Sequence, residues 1–214
     1  MKLPLEKRLR KRMHVQIGSL QDEAMDVLYS ISDKFTLHGG TAIWRCYGGG
    51  RFSEDIDLYA TKLPDDFETT LADALKSRAL QLQKFKKTQN LIFCKISSPE
   101  AEIRLEINFS ANVKAVPIPF EKIDGSSMIV LCLSVDDLII EKANAYISRK
   151  LIRDIYDVYF LLPKITDAVI LSRLKPLVQK FLDPFDEDNL KAIIYSGAIP
   201  TYAQMHNYLM GHLK

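Results

Sequence analysis

His38-Gly39-Gly40-Thr41 stands a short way before Gly50-Arg51-Phe52-Ser53-Glu54-Asp55-Ile56-Asp57-Leu58. Phe35 to Leu37 reads as a short strand running into the glycine pair, and Thr41 to Tyr47 as a helix opening straight after it. The glycines Gly48 to Gly50 break that helix, and Ile56 to Tyr59 forms a second strand. Side chains alternate along a strand, so Asp55 and Asp57 project to one face while Ile56 and Leu58 project to the other. Two carboxylates on one face repel unless a cation lies between them. A divalent ion with oxygen ligands, Mg²⁺ above all, meets that need and keeps room for substrate phosphates. Gly39 and Gly40 let the backbone approach a ligand closely, and the following helix offers free N–H groups to phosphate.

Outward from this stretch, the first thirty residues carry a helical apolar stripe of Leu20, Ala24, Val27, Leu28 and Ile31. Asp66 to Leu82 reads as a helix. Asn90 to Ile96 and Glu102 to Phe109 read as paired strands; the second alternates Ile103, Leu105, Ile107 and Phe109 against Glu102, Arg104, Glu106 and Asn108. Pro117 and Pro119 mark an irregular connection, and Met128 to Leu133 a last strand. From Ser134 the pattern is helical, broken near Pro163, Pro184 and Pro200. The expected fold is α+β: a mixed sheet flanked by helices over residues 1–133, followed by an all-helical lobe over 134–214.

Composition narrows the class. The 214 residues are 47% hydrophobic and 26% charged, as in a globular enzyme, and the net charge of +2 carries little information. Lys2, Lys7, Arg8, Arg10, Lys11 and Arg12 crowd the beginning. Such an arm can track a phosphate backbone, although a solvated helix end is the plainer reading. Cys46, Cys94 and Cys132 are odd in number and lack Cys-x-x-Cys spacing, which argues against a disulfide framework and a zinc site and for a cytoplasmic protein. No stretch is apolar for the roughly 20 residues of a membrane span. The histidines lack ligand spacing, and Trp44 and Tyr47 read as core or rim of the first short helix.

The run from His38 to Leu58 resembles the first motif of the nucleotidyltransferase superfamily. More narrowly, Gly39-Gly40-Thr41-Ala42 with Arg51-x-Ser53-x-Asp55-Ile56-Asp57-Leu58 resembles the AbiEii-type nucleotidyltransferases, the toxin half of type IV toxin–antitoxin and abortive-infection systems. Glu141-Lys142-Ala143-Asn144-Ala145 and Arg153-Asp154-Ile155-Tyr156-Asp157 match that family's two downstream helical motifs. The order agrees over about residues 35 to 162.

The resemblance implies a nucleoside triphosphate as donor, two Mg²⁺ ions (or Mn²⁺), a tRNA 3′ end as acceptor and a cognate antitoxin. It implies a third carboxylate on a strand beside Asp55 and Asp57. Glu106 fits, with Glu102 on the same face as competitor and, as the plainer reading, a solvent-facing charged edge in which Arg104 pairs a neighbour. Asp55, Asp57 and Glu106 are the expected metal ligands, and Asp154 or Asp157 the further catalytic carboxylate. Gly39, Gly40, Arg51, Ser53, Lys142 and Arg153 are the expected nucleotide contacts. Lys142 and Arg149 are seven apart and share a helical face; Arg153 and Asp157 are four apart and make a plain surface ion pair the simpler reading. Transfer to a protein or small-molecule hydroxyl, a phosphohydrolase, and a non-catalytic nucleotide- or RNA-binding module are the competing functions.

Overall fold

The computed structural model describes residues 3–111 and 113–213; Lys2 of the basic arm lies outside them. The chain divides into two compact units, one formed by residues 1–46 and 52–133, the other by 47–51 and 134–214.

The first unit is a mixed seven-stranded sheet with helices packed on it. Its helices are α1 (Leu5–Arg8), α2 (Arg12–Ile31), α3 (Gly39–Tyr47, whose last residue falls in the other unit) and α4 (Phe67–Lys76). Its strands are β1 (Thr36–His38), β2 (Ile56–Ala60), β3 (Gln81–Lys87), β4 (Leu91–Ser97), β5 (Glu102–Phe109), β6 (Ala115–Glu121) and β7 (Ser127–Leu133). The order is β3-β4-β5-β2-β1-β7-β6. The β2–β5 and β1–β7 pairs are parallel and the rest antiparallel. Alternation gives β2, β4 and β5 one apolar face, with Ile56, Leu58, Ile92, Cys94, Ile96, Ile103, Leu105 and Ile107 all buried. α2 packs against β5 and α4, and α4 against β3, closing this core. The opposite face is polar: Asp57, Glu106, Arg104 and Lys95 lie there.

Two expectations are corrected in this unit. The helix expected over Asp66 to Leu82 stops at Lys76, and Ala79 adopts φ 57°, the left-handed region that turns the chain back. Gln81–Lys87 is then strand β3. A register shift between Leu82 and Lys84 disrupts its period-two pattern, so the sequence hides it. Pro117 and Pro119 lie inside β6, not in a loop. That strand is at the sheet edge, and prolines two apart share one phase of the ladder. An edge strand can point that phase away from its neighbour and lose no hydrogen bond.

The second unit is helical: α5 (Val135–Arg149), α6 (Ile152–Leu161), α7 (Ala168–Val178), α8 (Leu190–Ile193) and α9 (Tyr202–His212). Ser134 caps α5 by accepting from the Asp137 N–H at 3.1 Å. α5 packs on α6 and α7, and α9 on α6 and α7, burying Leu138, Ile139, Tyr146, Ile155, Val158, Leu174, Met205 and Leu209. Residues 47–51 join this unit: Arg51 bridges Ile194, and the Gly50 carbonyl accepts from the N–H groups of Tyr195 and Ser196. A Cβ on Gly50 would lie 2.7 Å from the Ser196 carbonyl oxygen, so this close approach needs a glycine. No helix among the described residues is long and apolar enough to cross a membrane.

Candidate active site

In the first unit the strand registers align the acidic residues. His38 of β1 pairs with Asp57 of β2, and Asp57 with Glu106 of β5, so the three side chains form one row across adjacent strands. Strand register alone achieves this, because directly paired residues share a face. His38 stacks on Tyr59, ring centroids 3.9 Å apart. Glu102 stands four residues away along β5, where it pairs with Ser97, and is bound by Lys95 at 2.5 Å. The row therefore contains Glu106 and leaves Glu102 aside.

α3 opens directly beside this row. Gly39 has φ +72°, and a Cβ there would lie 2.2 Å from Asp57 Oδ2. The Thr41 hydroxyl donates to the Asp55 carbonyl, and the Gln21 amide donates to the Ser53 carbonyl at 3.0 Å. These bonds pin residues 53–55 to α2 and α3 and fix where Asp55 and Asp57 emerge. Ser53 engages through its backbone. Gly40 is buried in the first turn of α3.

The electrostatics are those of crowded acids. Burial, then repulsion from Asp57 and Asp55, raises the Glu106 carboxyl above its ordinary value, against the smaller pull of Arg104 and His38. Arg104 forms a two-pronged pair with Asp55 at 2.8 and 2.9 Å, which answers the question of which neighbour it pairs. Among the described residues, no three His, Cys, Asp or Glu side chains are gathered tightly enough to hold a metal ion as they stand. The donor chemistry nonetheless fits one: hard oxygen donors whose mutual repulsion a cation would relieve.

The helical unit carries a second charge cluster. Arg51 donates to both oxygens of Asp157 at 2.6 Å, with the guanidinium and carboxylate both buried. Lys142 lies 3.7 Å from Asp154 Oδ1 and 3.6 Å from Asp157 Oδ2. Arg149 holds Asp154 from the other side at 2.6 and 2.7 Å. Lys142 and Arg149 thus meet on one carboxylate, as their seven-residue spacing on α5 permits. Asp157 is not a surface partner of Arg153: it is fully buried and taken by Arg51 and Lys142. Burial works to raise the Asp154 carboxyl, but the Arg149 hydrogen bonds and the charges of Lys142, Arg149 and Arg51 hold it below its ordinary value. Burial likewise works against the Arg51 charge, and Asp157 overcomes it. The link between Arg51 and Asp157 spans 106 positions, so no local spacing announces it. Arg104, a residue the motifs do not include, is the other participant that sequence reasoning placed only in passing.

Residues 25–195 match the family described as "Nucleotidyl transferase AbiEii toxin, Type IV TA system". No curated protein sequence matches the chain significantly. Among solved structures, the Helicobacter pylori protein JHP933 has 20% identity, with 95% of this chain and 91% of that one covered at a TM-score of 0.67. A nucleotidyltransferase described as putative, also from H. pylori, has the same identity and TM-score over 95% and 94%. MenT4, a nucleotidyltransferase toxin of Mycobacterium tuberculosis H37Rv, has 14% identity over 92% and 81% at a TM-score of 0.65. These likenesses establish the fold.

Proposed function

The chain belongs to the AbiEii family of nucleotidyltransferase toxins of type IV toxin–antitoxin systems, and from that premise we propose that it moves a nucleotide from a nucleoside triphosphate to the 3′ end of a tRNA in the presence of Mg²⁺. The observation that carries this reading is the row Asp57–Glu106 with Asp55 beside it, set against the glycine-opened N-terminus of α3.

Asp55, Asp57 and Glu106 are the residues that would hold Mg²⁺, or Mn²⁺ in its place. When bound, the ion supplies Lewis-acid stabilisation to oxygens entering and leaving phosphorus. Glu106, the carboxylate paired with Asp57 across β2 and β5, is placed to take the proton of the acceptor hydroxyl. The free N–H groups of the first turn of α3 at Gly39 and Gly40 suit phosphate oxygens. In the helical unit, Arg51, Lys142 and Arg149 gather around Asp154 and Asp157, and cationic donors of this kind suit phosphate oxygens. The two aspartates then act by holding these cations in place, and Arg153 is a further candidate contact. Membership of a type IV system also supports a cognate antitoxin as partner and a cytoplasmic site of action.

The test is incubation of the protein with Mg²⁺, total bacterial tRNA and each α-labelled nucleoside triphosphate in turn, beside Asp57→Ala. Label on tRNA from one triphosphate, absent with Asp57→Ala, is the expected result. Label released as nucleoside monophosphate would make the protein a phosphohydrolase. Label confined to protein or to a small molecule would replace the acceptor.

A further inference from the structure

The polar face of the sheet does not end at the carboxylates. Arg104 of β5 pairs with Lys95 of β4, and Lys95 with Lys84 of β3, so three cations stand in one cross-strand row. The adjacent row runs Asp57, Glu106, Phe93, Lys86 through the same strands. Like charges directly opposite each other destabilise a sheet. Arg104 and Lys95 are relieved by Asp55 and Glu102. Lys84 and Lys86 are exposed and form no ion pair among the described residues; Lys84 Nζ instead sits 5.6 Å from the Phe93 ring centre. Phe93 is itself only half-buried, with an aromatic surface on the same face.

Lysines on an edge strand commonly guard against edge-to-edge pairing. That accounts for β3 but not for Lys95 on the interior strand β4, nor for Arg104 further in on β5. A cationic row that continues inward to the carboxylates, with an aromatic ring between its members, has the composition of a single-strand nucleic-acid track.

We propose that the β5–β4–β3 face is the acceptor-RNA surface: the phosphodiester backbone lies along Arg104, Lys95, Lys84 and Lys86, a base stacks on Phe93, and the reactive end reaches Asp57 and Glu106. This rests on the nucleotide-transfer reading for the direction of the strand but not for its binding. Charge complementarity selects a polyanion, and the strand registers give it a path.

The experiment measures binding of a fluorescent tRNA and a single-stranded RNA oligomer, by anisotropy over a range of salt concentrations. The test variant is Lys84→Gln with Lys86→Gln. The charge-matched control is Lys76→Gln with Lys87→Gln: Lys76 lies on α4, and Lys87 pairs with Ile92 of the apolar face. The test variant is expected to weaken binding about 10-fold and to lower the salt slope by about 0.7 for each phosphate it no longer neutralises. The control is expected to change affinity less than about 2-fold, and Lys84→Arg with Lys86→Arg to restore it. Equal weakening in test and control variants, or no weakening in either, overturns the proposal, as does failure of the wild-type protein to bind RNA. If the test variant is lost to aggregation while the arginine variant is soluble and fails to bind, edge protection is the role instead. Transfer to RNA with unchanged KM in a folded test variant would sink this surface and spare the transferase reading. RNA binding that depends on Lys84 and Lys86 without any transfer would do the reverse.

Discussion

Gly39 presses against Asp57 so closely that a methyl group on the glycine would overlap the aspartate Oδ2, at 2.2 Å. The contact explains the first glycine of the pair twice over. Its φ of +72° costs another residue about 1–2 kcal/mol, and the carboxylate occupies the space a side chain would take. Gly39→Ala is expected to fold, by circular dichroism, with loss of about 1–3 kcal/mol in urea. Nucleotide transfer is expected to fall about 100-fold, because Asp57 must move aside. Full turnover in a folded Gly39→Ala protein would show that the contact does not position Asp57.

Glu106→Gln separates chemistry from stability. The folded-state carboxyl is raised, so the native protein keeps that proton to higher pH than the unfolded chain does. The stability gained from protonation is present at low pH and lost as pH rises through the raised value. Once ionised, the group faces the charges of Asp57 and Asp55. Glu106→Gln should therefore melt no lower than wild type at pH 7, with the difference shrinking towards pH 4, while transfer drops about 100-fold. A variant that melts well below wild type at pH 7 contradicts this account.

Asp154→Asn tests the helical cluster in the opposite pH sense. The Asp154 carboxyl is held below its ordinary value of 3.8, so its stabilising effect is present above that value and lost as pH falls through the depressed one. Leaving Arg149 and Lys142 short of a charge should cost about 3–5 kcal/mol at neutral pH. In urea titrations the gap from wild type should stay level down to about pH 5 and narrow below pH 4. A gap that widens in acid would mean that the carboxyl is raised.

Arg51→Lys asks whether geometry or charge matters at Asp157. A guanidinium spans both carboxylate oxygens, as the paired 2.6 Å contacts show, and an ammonium does not. The substitution keeps the charge and should still destabilise by about 1–3 kcal/mol. Arg51→Ala should cost about 3–5 kcal/mol. Equal stabilities for wild type and Arg51→Lys would reduce the pair to simple charge balance.

Much of this architecture is written locally. Asp55-Ile56-Asp57-Leu58 alternates as a strand must, Glu102 to Phe109 matches β5 at both ends, and Ser134 caps α5 through Asp137. What stayed hidden depends on distant partners or broken periods. β3 is masked by its register shift, and β6 by prolines that only an edge position tolerates. Whether Glu106 or Glu102 stands beside Asp57 follows from the parallel register of β2 on β5, which no local pattern encodes. The burial of Asp154 and Asp157 comes from packing around α6 and from Arg51, far away in sequence.

The glycine run after α3 has a consequence for biosynthesis. The Gly49 carbonyl accepts from the Tyr195 hydroxyl, 146 residues downstream, and Gly50 accepts from the Tyr195 and Ser196 backbone. At about 5–20 residues per second, a ribosome needs on the order of 10 s to bridge that interval. A nascent chain therefore carries the Gly49 and Gly50 carbonyls without these partners until Ser196 has been made. A product cut short before Ile194 never closes that bridge, so the segment after α3 is fixed only once nearly the whole helical unit has been made.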